Sequence, residues 1–231
     1  MSTAWNAVRA EWTKLRTTPG PAWLLLITAV VTVALGAAIS GAAACAQDGC
    51  GADAVRLALS GVYLGLAPVA VLAVLAVSGE HSTALIRTTL TAIPDRTTVL
   101  AAKALVLAVA VAAAGSVALL ASVLVAGAFL PRLSLADGHV LRATAGSVAF
   151  LVLIAILGLG AAAVLRDSAA AIGTVLGLLY LPPILAQMVA DPRWHRLFER
   201  VAPMSGGLGV LTAWACGALL LGALLLRFRD T

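Results

Sequence analysis

Charge is what this sequence has least of. Only 11% of its 231 residues are Asp, Glu, Lys or Arg, against about 25% in a soluble domain, and a separate soluble catalytic domain does not fit beside so little polar surface. Lysine occurs only as Lys14 and Lys103, which follow Thr13 and Ala102. A phosphate-cradling P-loop needs Gly directly before its Lys, so no Walker A is present and ATP is not hydrolysed here by that route. His81, His139 and His195 lie in three different polar segments, with no His-x-x-x-His or Cys-His cluster to hold a metal. There is no Gly-x-Ser-x-Gly elbow. Ser205-Gly206-Gly207 has no histidine in any apolar run to act as its base. The ten acids fall at run ends or in loops, where a proton-coupled carrier would place some at mid-membrane. The sequence therefore offers no catalytic centre, cofactor site or metal site of its own.

What is present is hydrocarbon. Hydrophobic residues make up 62% of the chain and mean hydropathy is +1.06. A bilayer crossing takes about 20 apolar residues. Six runs reach that length, at about 22–44, 55–78, 104–130, 143–165, 169–190 and 206–226. The expected fold is an all-α integral membrane protein, one transmembrane domain over 1–231. A signal peptide is a poorer reading of the first run, which is longer than an h-region and begins late.

Residues 1–20 differ from the rest. Trp5, Val8, Trp12 and Leu15 recur at helical spacing on one face, with Arg9, Glu11, Lys14 and Arg16 elsewhere around it. This pattern predicts a helix lying in the membrane interface with its tryptophans at headgroup depth. Thr17-Thr18-Pro19-Gly20-Pro21 then turns the chain.

The net charge of +5 is no nucleic-acid signal, because the basic residues sit between apolar runs, where they orient the chain. Arg9, Lys14, Arg16, Arg87, Arg96, Lys103, Arg166, Arg227 and Arg229 fall on one side. Arg56, Arg132, Arg142, Arg193, Arg196 and Arg200 fall on the other. The positive-inside bias makes the first set, and with it both termini, cytoplasmic. Gly61-Val62-Tyr63-Leu64-Gly65 and Gly173-Thr174-Val175-Leu176-Gly177 are small-xxx-small patterns that permit close helix approach. Pro68 and Pro182-Pro183 are expected to kink the second and fifth spans. Tyr63, Tyr180 and Gln187 are the candidate polar contacts along a pathway lined otherwise by apolar groups.

The connection after the second span reads Gly79-Glu80-His81-Ser82-Thr83-Ala84-Leu85-Ile86-Arg87-Thr88-Thr89-Leu90-Thr91-Ala92-Ile93-Pro94-Asp95-Arg96. Ile86, Leu90 and Ile93 share one face and Pro94 ends the helix. A short cytoplasmic amphipathic helix of this kind gives a partner something to grip.

Together with Glu11-Trp12-Thr13-Lys14-Leu15-Arg16, with Ala101-Ala102-Lys103-Ala104, with residues 157–174 including Arg166-Asp167, and with Leu225-Leu226-Arg227-Phe228-Arg229-Asp230, this stretch resembles ABC-2 type permeases. These are the membrane subunits of bacterial ATP-driven exporters, and the chain is most similar to their actinobacterial branch. The link from Ala202 to the last span is shorter than is usual there, so the outer gate region is expected to differ. The resemblance implies two permeases, a second copy or a paralogue, and two separate ATPase subunits that bind ATP and Mg2+. It makes the amphipathic leader an interfacial connecting helix. It makes the segment around Ser82–Ile93 the coupling helix, with Glu80, His81, Ser82, Thr83, Ile86, Arg87, Leu90 and Ile93 at the ATPase contact. The chain itself would be a non-enzymatic permease in the bacterial plasma membrane. A membrane immunity or signalling protein, and an intramembrane enzyme, are the competing classes; cargo identity stays open.

Cys45 and Cys50 flank Ala-Gln-Asp-Gly in the first external loop. The flexible Asp48-Gly49 turn lets such a loop close to disulfide distance, and an external face is oxidising. Two free thiols or a metal pair are the alternatives; the metal pair has no neighbouring histidine.

Overall fold

The computed structural model describes residues 2–45, 54–82, 96–129, 137–188, 202–204 and 207–228. Among them there are eight helices and no strand: α1 (Ser2–Thr17), α2 (Pro19–Cys45), α3 (Ala54–Leu59), α4 (Val62–Ser82), α5 (Arg96–Phe129), α6 (Gly138–Leu165), α7 (Ser168–Met188) and α8 (Gly207–Phe228). Taking α3 and α4 together, six are long and apolar enough to cross a membrane. The protein is an all-α multi-pass membrane protein.

Lipid tails are as apolar as leucine, so van der Waals fit and backbone approach, not water exclusion, hold such a bundle together. Helix α6 is the hub, packing against α4, α5, α7 and α8. Its small residues make that arrangement work. A Cβ on Gly158 would lie 2.9 Å from the Ala73 Cβ of α4, and one on Gly160 would lie 2.6 Å from the Ala218 backbone of α8. Ala155, Ala162 and Ala163 on the same helix are buried. Helices α2, α7 and α8 are the peripheral spans, with much of their surface outward.

The second span is not one helix. It breaks at Ser60-Gly61, ahead of Pro68, which lies within α4. The break leaves carbonyls of α3 without helical partners. The Ser122 hydroxyl of α5 donates to the Ala58 carbonyl at 2.7 Å, and the Ser60 hydroxyl to the Leu57 carbonyl at 2.6 Å. Gly61 and Gly65 face α2 here: a Cβ on Gly61 would collide with the Thr32 carbonyl and one on Gly65 with the Thr32 hydroxyl. The first small-xxx-small pattern thus does bring two spans together. The second does not. A Cβ on Gly173 would meet nothing within 4 Å, because this side of α7 faces outward.

Three boundaries differ from the run lengths. Helix α5 starts at Arg96, not 104, and α6 starts at Gly138, not 143; hydropathy marks the hydrocarbon stretch, while helices continue past it into polar sequence. At 34 residues, α5 is about 50 Å long at about 1.5 Å per residue, well beyond a core of about 30 Å. The turn at residues 17–21 is tighter than the composition implies. Only Thr18 separates α1 from α2, and Pro19 takes the first-turn position, where its missing N–H costs nothing. Arg166, with φ 56°, and Asp167 form the two-residue link from α6 to α7. The Arg166 N–H donates to the Ala162 carbonyl at 3.0 Å, and the Asp167 carboxylate accepts from the Ala170 N–H at 2.7 Å.

Candidate functional site

Two places in the fold gather polar side chains, at opposite ends of the bundle. The first joins α1 to α5. Helix α1 buries Ala7 and Glu11, one turn apart, and leaves Trp5 63% exposed and Trp12 exposed on other sides; Val8 and Leu15 are half-buried. Glu11 is 6% exposed and Lys103 8%. The Lys103 ammonium donates to Glu11 Oε2 at 2.5 Å and the Lys14 ammonium to Glu11 Oε1 at 2.8 Å. Both lysines of the chain thus converge on one carboxylate. A buried carboxylate is costly unless paired and hydrogen-bonded, and here each oxygen takes a charge-assisted bond. The result is a rigid junction between the leader helix and the polar start of the third span, near where the chain enters α5 from residues 83–95.

That junction went unread in the sequence. The leader's hydrophobic period points to its tryptophan face, whereas the helix packs by the face carrying Ala7 and Glu11. The available signal was an acidic residue with Lys at i+3 on an otherwise basic helix, together with a lone Lys at the lip of an apolar run.

At the other end lies an open cavity of about 710 Å³, between α3, the start of α4, the first half of α6, residue 204 and the start of α8. Among the described residues Arg56, Tyr63, His139 and Ser147 are its polar lining, and Leu59, Val62 and Phe150 belong to its apolar lining. Helix α6 enters the site capped, with the Asp137 carboxylate accepting from the His139 N–H at 3.1 Å.

Of the three residues expected along a pathway, two meet. The Tyr180 hydroxyl of α7 donates to the Tyr63 backbone carbonyl at 2.6 Å. This ties α7 to α4 and leaves the Tyr63 ring exposed at the cavity. Gln187 is exposed near the end of α7 and does not line the cavity. In the sequence Arg56 counts only toward membrane orientation and His139 only as an isolated histidine of a polar segment; the fold brings them to the same opening.

Glu80, His81 and Ser82 form the last turn of α4. Thr83, Ile86, Arg87, Leu90 and Ile93 lie outside the described residues, as does Cys50 of the expected Cys45–Cys50 bridge; Cys45 ends α2.

Comparison with protein-family models and with curated proteins finds no match.

Proposed function

We propose that the chain is the permease subunit of an ATP-driven exporter of the ABC-2 type, a non-catalytic membrane subunit that converts the closure of partner ATPases into rearrangement of a pathway. The observation that carries the reading is the Glu11–Lys103 ion pair. A permease without ATP chemistry needs a stiff connection from its cytoplasmic contact to its spans. The third span begins directly after the amphipathic segment around Ser82–Ile93, and its polar first turns are bolted to the leader helix. A push on that segment would move α5 and α1 as one unit. Tryptophans outward on α1 suit a helix sliding in the interface. In this reading ATP and Mg2+ belong to two partner subunits, a second permease copy or paralogue completes the path, and the termini face the cytoplasm of a bacterial cell.

The test is co-purification. Tagged wild-type chain is expected to bring down a Walker-A ATPase, with hydrolysis only in the complex. The Ile86→Asp/Leu90→Asp double variant is expected to insert normally and lose that partner. Undiminished capture by the double variant would remove the docking assignment, and no ATPase with the wild type would remove the exporter reading.

A further inference from the structure

The leader helix has two sides of different chemistry, and packing uses only one of them. At about 100° per residue, Ala7, Glu11 and Lys14 lie on one side of α1. Trp5, Arg9, Trp12 and Arg16 fall within about 60° of arc on the other. Ala7 and Glu11 are buried, and α1 packs against α5 and α2. The other four are all exposed. Along the outward stripe the order is aromatic, guanidinium, aromatic, guanidinium, each about one turn from the next over a rise of about 16 Å.

The charge is divided in the same way. Glu11, the one acid in the sequence of α1, turns inward and holds Lys14 and Lys103. The outward side is therefore positive, with no carboxylate of its own helix to offset it. Among the described residues neither the Arg9 nor the Arg16 guanidinium has a hydrogen-bond or ion-pair partner. The stripe also stands at the edge of the bilayer. Only Thr18 separates α1 from α2, and the Pro19–Ala43 stretch of α2 is long and apolar enough to cross a membrane. Trp23, in the second turn of α2, is exposed as well, and tryptophans collect at headgroup depth.

We infer that the outward stripe of α1 is a docking surface for anionic phospholipid, its guanidiniums on the phosphates and its indoles seated between the heads and the acyl chains. The planar fork of guanidinium matches two phosphate oxygens at once, and an indole has an apolar body with one N–H to leave in the wet layer. Charge selects the occupant. A head with a bare phosphodiester brings net negative charge to a face with two cations. A choline head brings a cation of its own, and a second copy of this stripe would bring two more. Lipid bound there holds α1 from outside while the Glu11–Lys103 pair holds it from inside, so the seat of the leader depends on the composition of the leaflet. The surface rests on the membrane character of the chain and not on the exporter reading.

The test uses the full chain in dodecyl maltoside. It is titrated with phosphatidylglycerol and phosphatidylcholine of identical acyl chains, and retained lipid is counted by native mass spectrometry. A basic side chain near an anionic surface is worth about five-fold in binding. Wild type is therefore expected to favour phosphatidylglycerol by about 25-fold, either single variant Arg9→Gln or Arg16→Gln by about five-fold, and the double variant not at all. Melting temperatures without lipid should not change, because both side chains stand clear of the bundle. Arg9→Lys with Arg16→Lys keeps the charge without the fork and is expected to restore part of the preference. Arg142→Gln removes an exposed arginine from α6 and should leave the preference whole. Wild-type chain with no preference, a folded double Gln variant that keeps it, or an equal loss from Arg142→Gln would each overturn the surface. A dimer that forms without lipid and dissociates in the double Gln variant would overturn it in favour of a second copy.

Discussion

Glu11 and Lys103 are 92 residues apart in the chain and 2.5 Å apart in the structure. Their contact is an ion pair between two helices, α1 and α5. Helix α1 carries little apolar surface toward the bundle, so this pair, with Ala7 beside it, decides where the leader docks.

Removing one partner should therefore be far worse than removing both. Glu11→Ala takes the Glu11 carboxylate away from the buried Lys103 ammonium and is expected to cost about 3 kcal/mol, whereas Glu11→Ala combined with Lys103→Met should recover most of it. A double-variant cycle by thermal unfolding in detergent reads the coupling. Additive losses would mean that the pair is solvated and the junction is not stiff.

The two small-xxx-small patterns make opposite predictions. Gly61→Ala drives a methyl into the Thr32 carbonyl of α2 and is expected to destabilise by about 2 kcal/mol, in the range of overpacking. Gly173→Ala adds a methyl in open space and removes helix-interior glycine, which should gain about 0.5–1 kcal/mol. Melting temperatures should move in opposite directions; a loss in both would place a packed surface against α7.

Asp167 starts α7 by accepting from the Ala170 N–H. Asp167→Ala is expected to cost about 1 kcal/mol and Asp167→Asn much less, as for other caps. Arg166, held at φ 56°, should tolerate glycine better than any β-branched residue. Unfolding in a denaturant series compares the four variants.

Topology is tested by labelling single cysteines at Thr3 and Asp137 in an otherwise cysteine-free chain with a membrane-impermeant reagent. Label at Asp137 and none at Thr3 in intact cells is the expected result, and the reverse pattern inverts the orientation. In the native chain a bridge between Cys45 and Cys50 is expected by non-reducing mass spectrometry; two freely alkylated thiols there would reject it.

Much of the architecture is legible in the residues because a bilayer imposes one simple demand. Any segment within it must satisfy its own backbone and present apolar groups, so runs of about 20 apolar residues announce their spans without reference to neighbours. The turn at Thr17-Thr18-Pro19-Gly20-Pro21 is legible in the same way, because proline's constraint on the chain is local. What escaped the sequence is everything that depends on a partner from elsewhere in the chain. Lys103 reads as the edge of a hydrophobic run until Glu11 arrives to neutralise it, and Gly173 looks like Gly61 until α2 is found against one and open space against the other. Arg56 and His139 belong to separate spans in the sequence, and only the packed helices bring both to a common opening. Hydropathy records each residue's transfer from water, one at a time; pairing, close approach and cavities are properties of two surfaces meeting, and packing alone supplies the second surface.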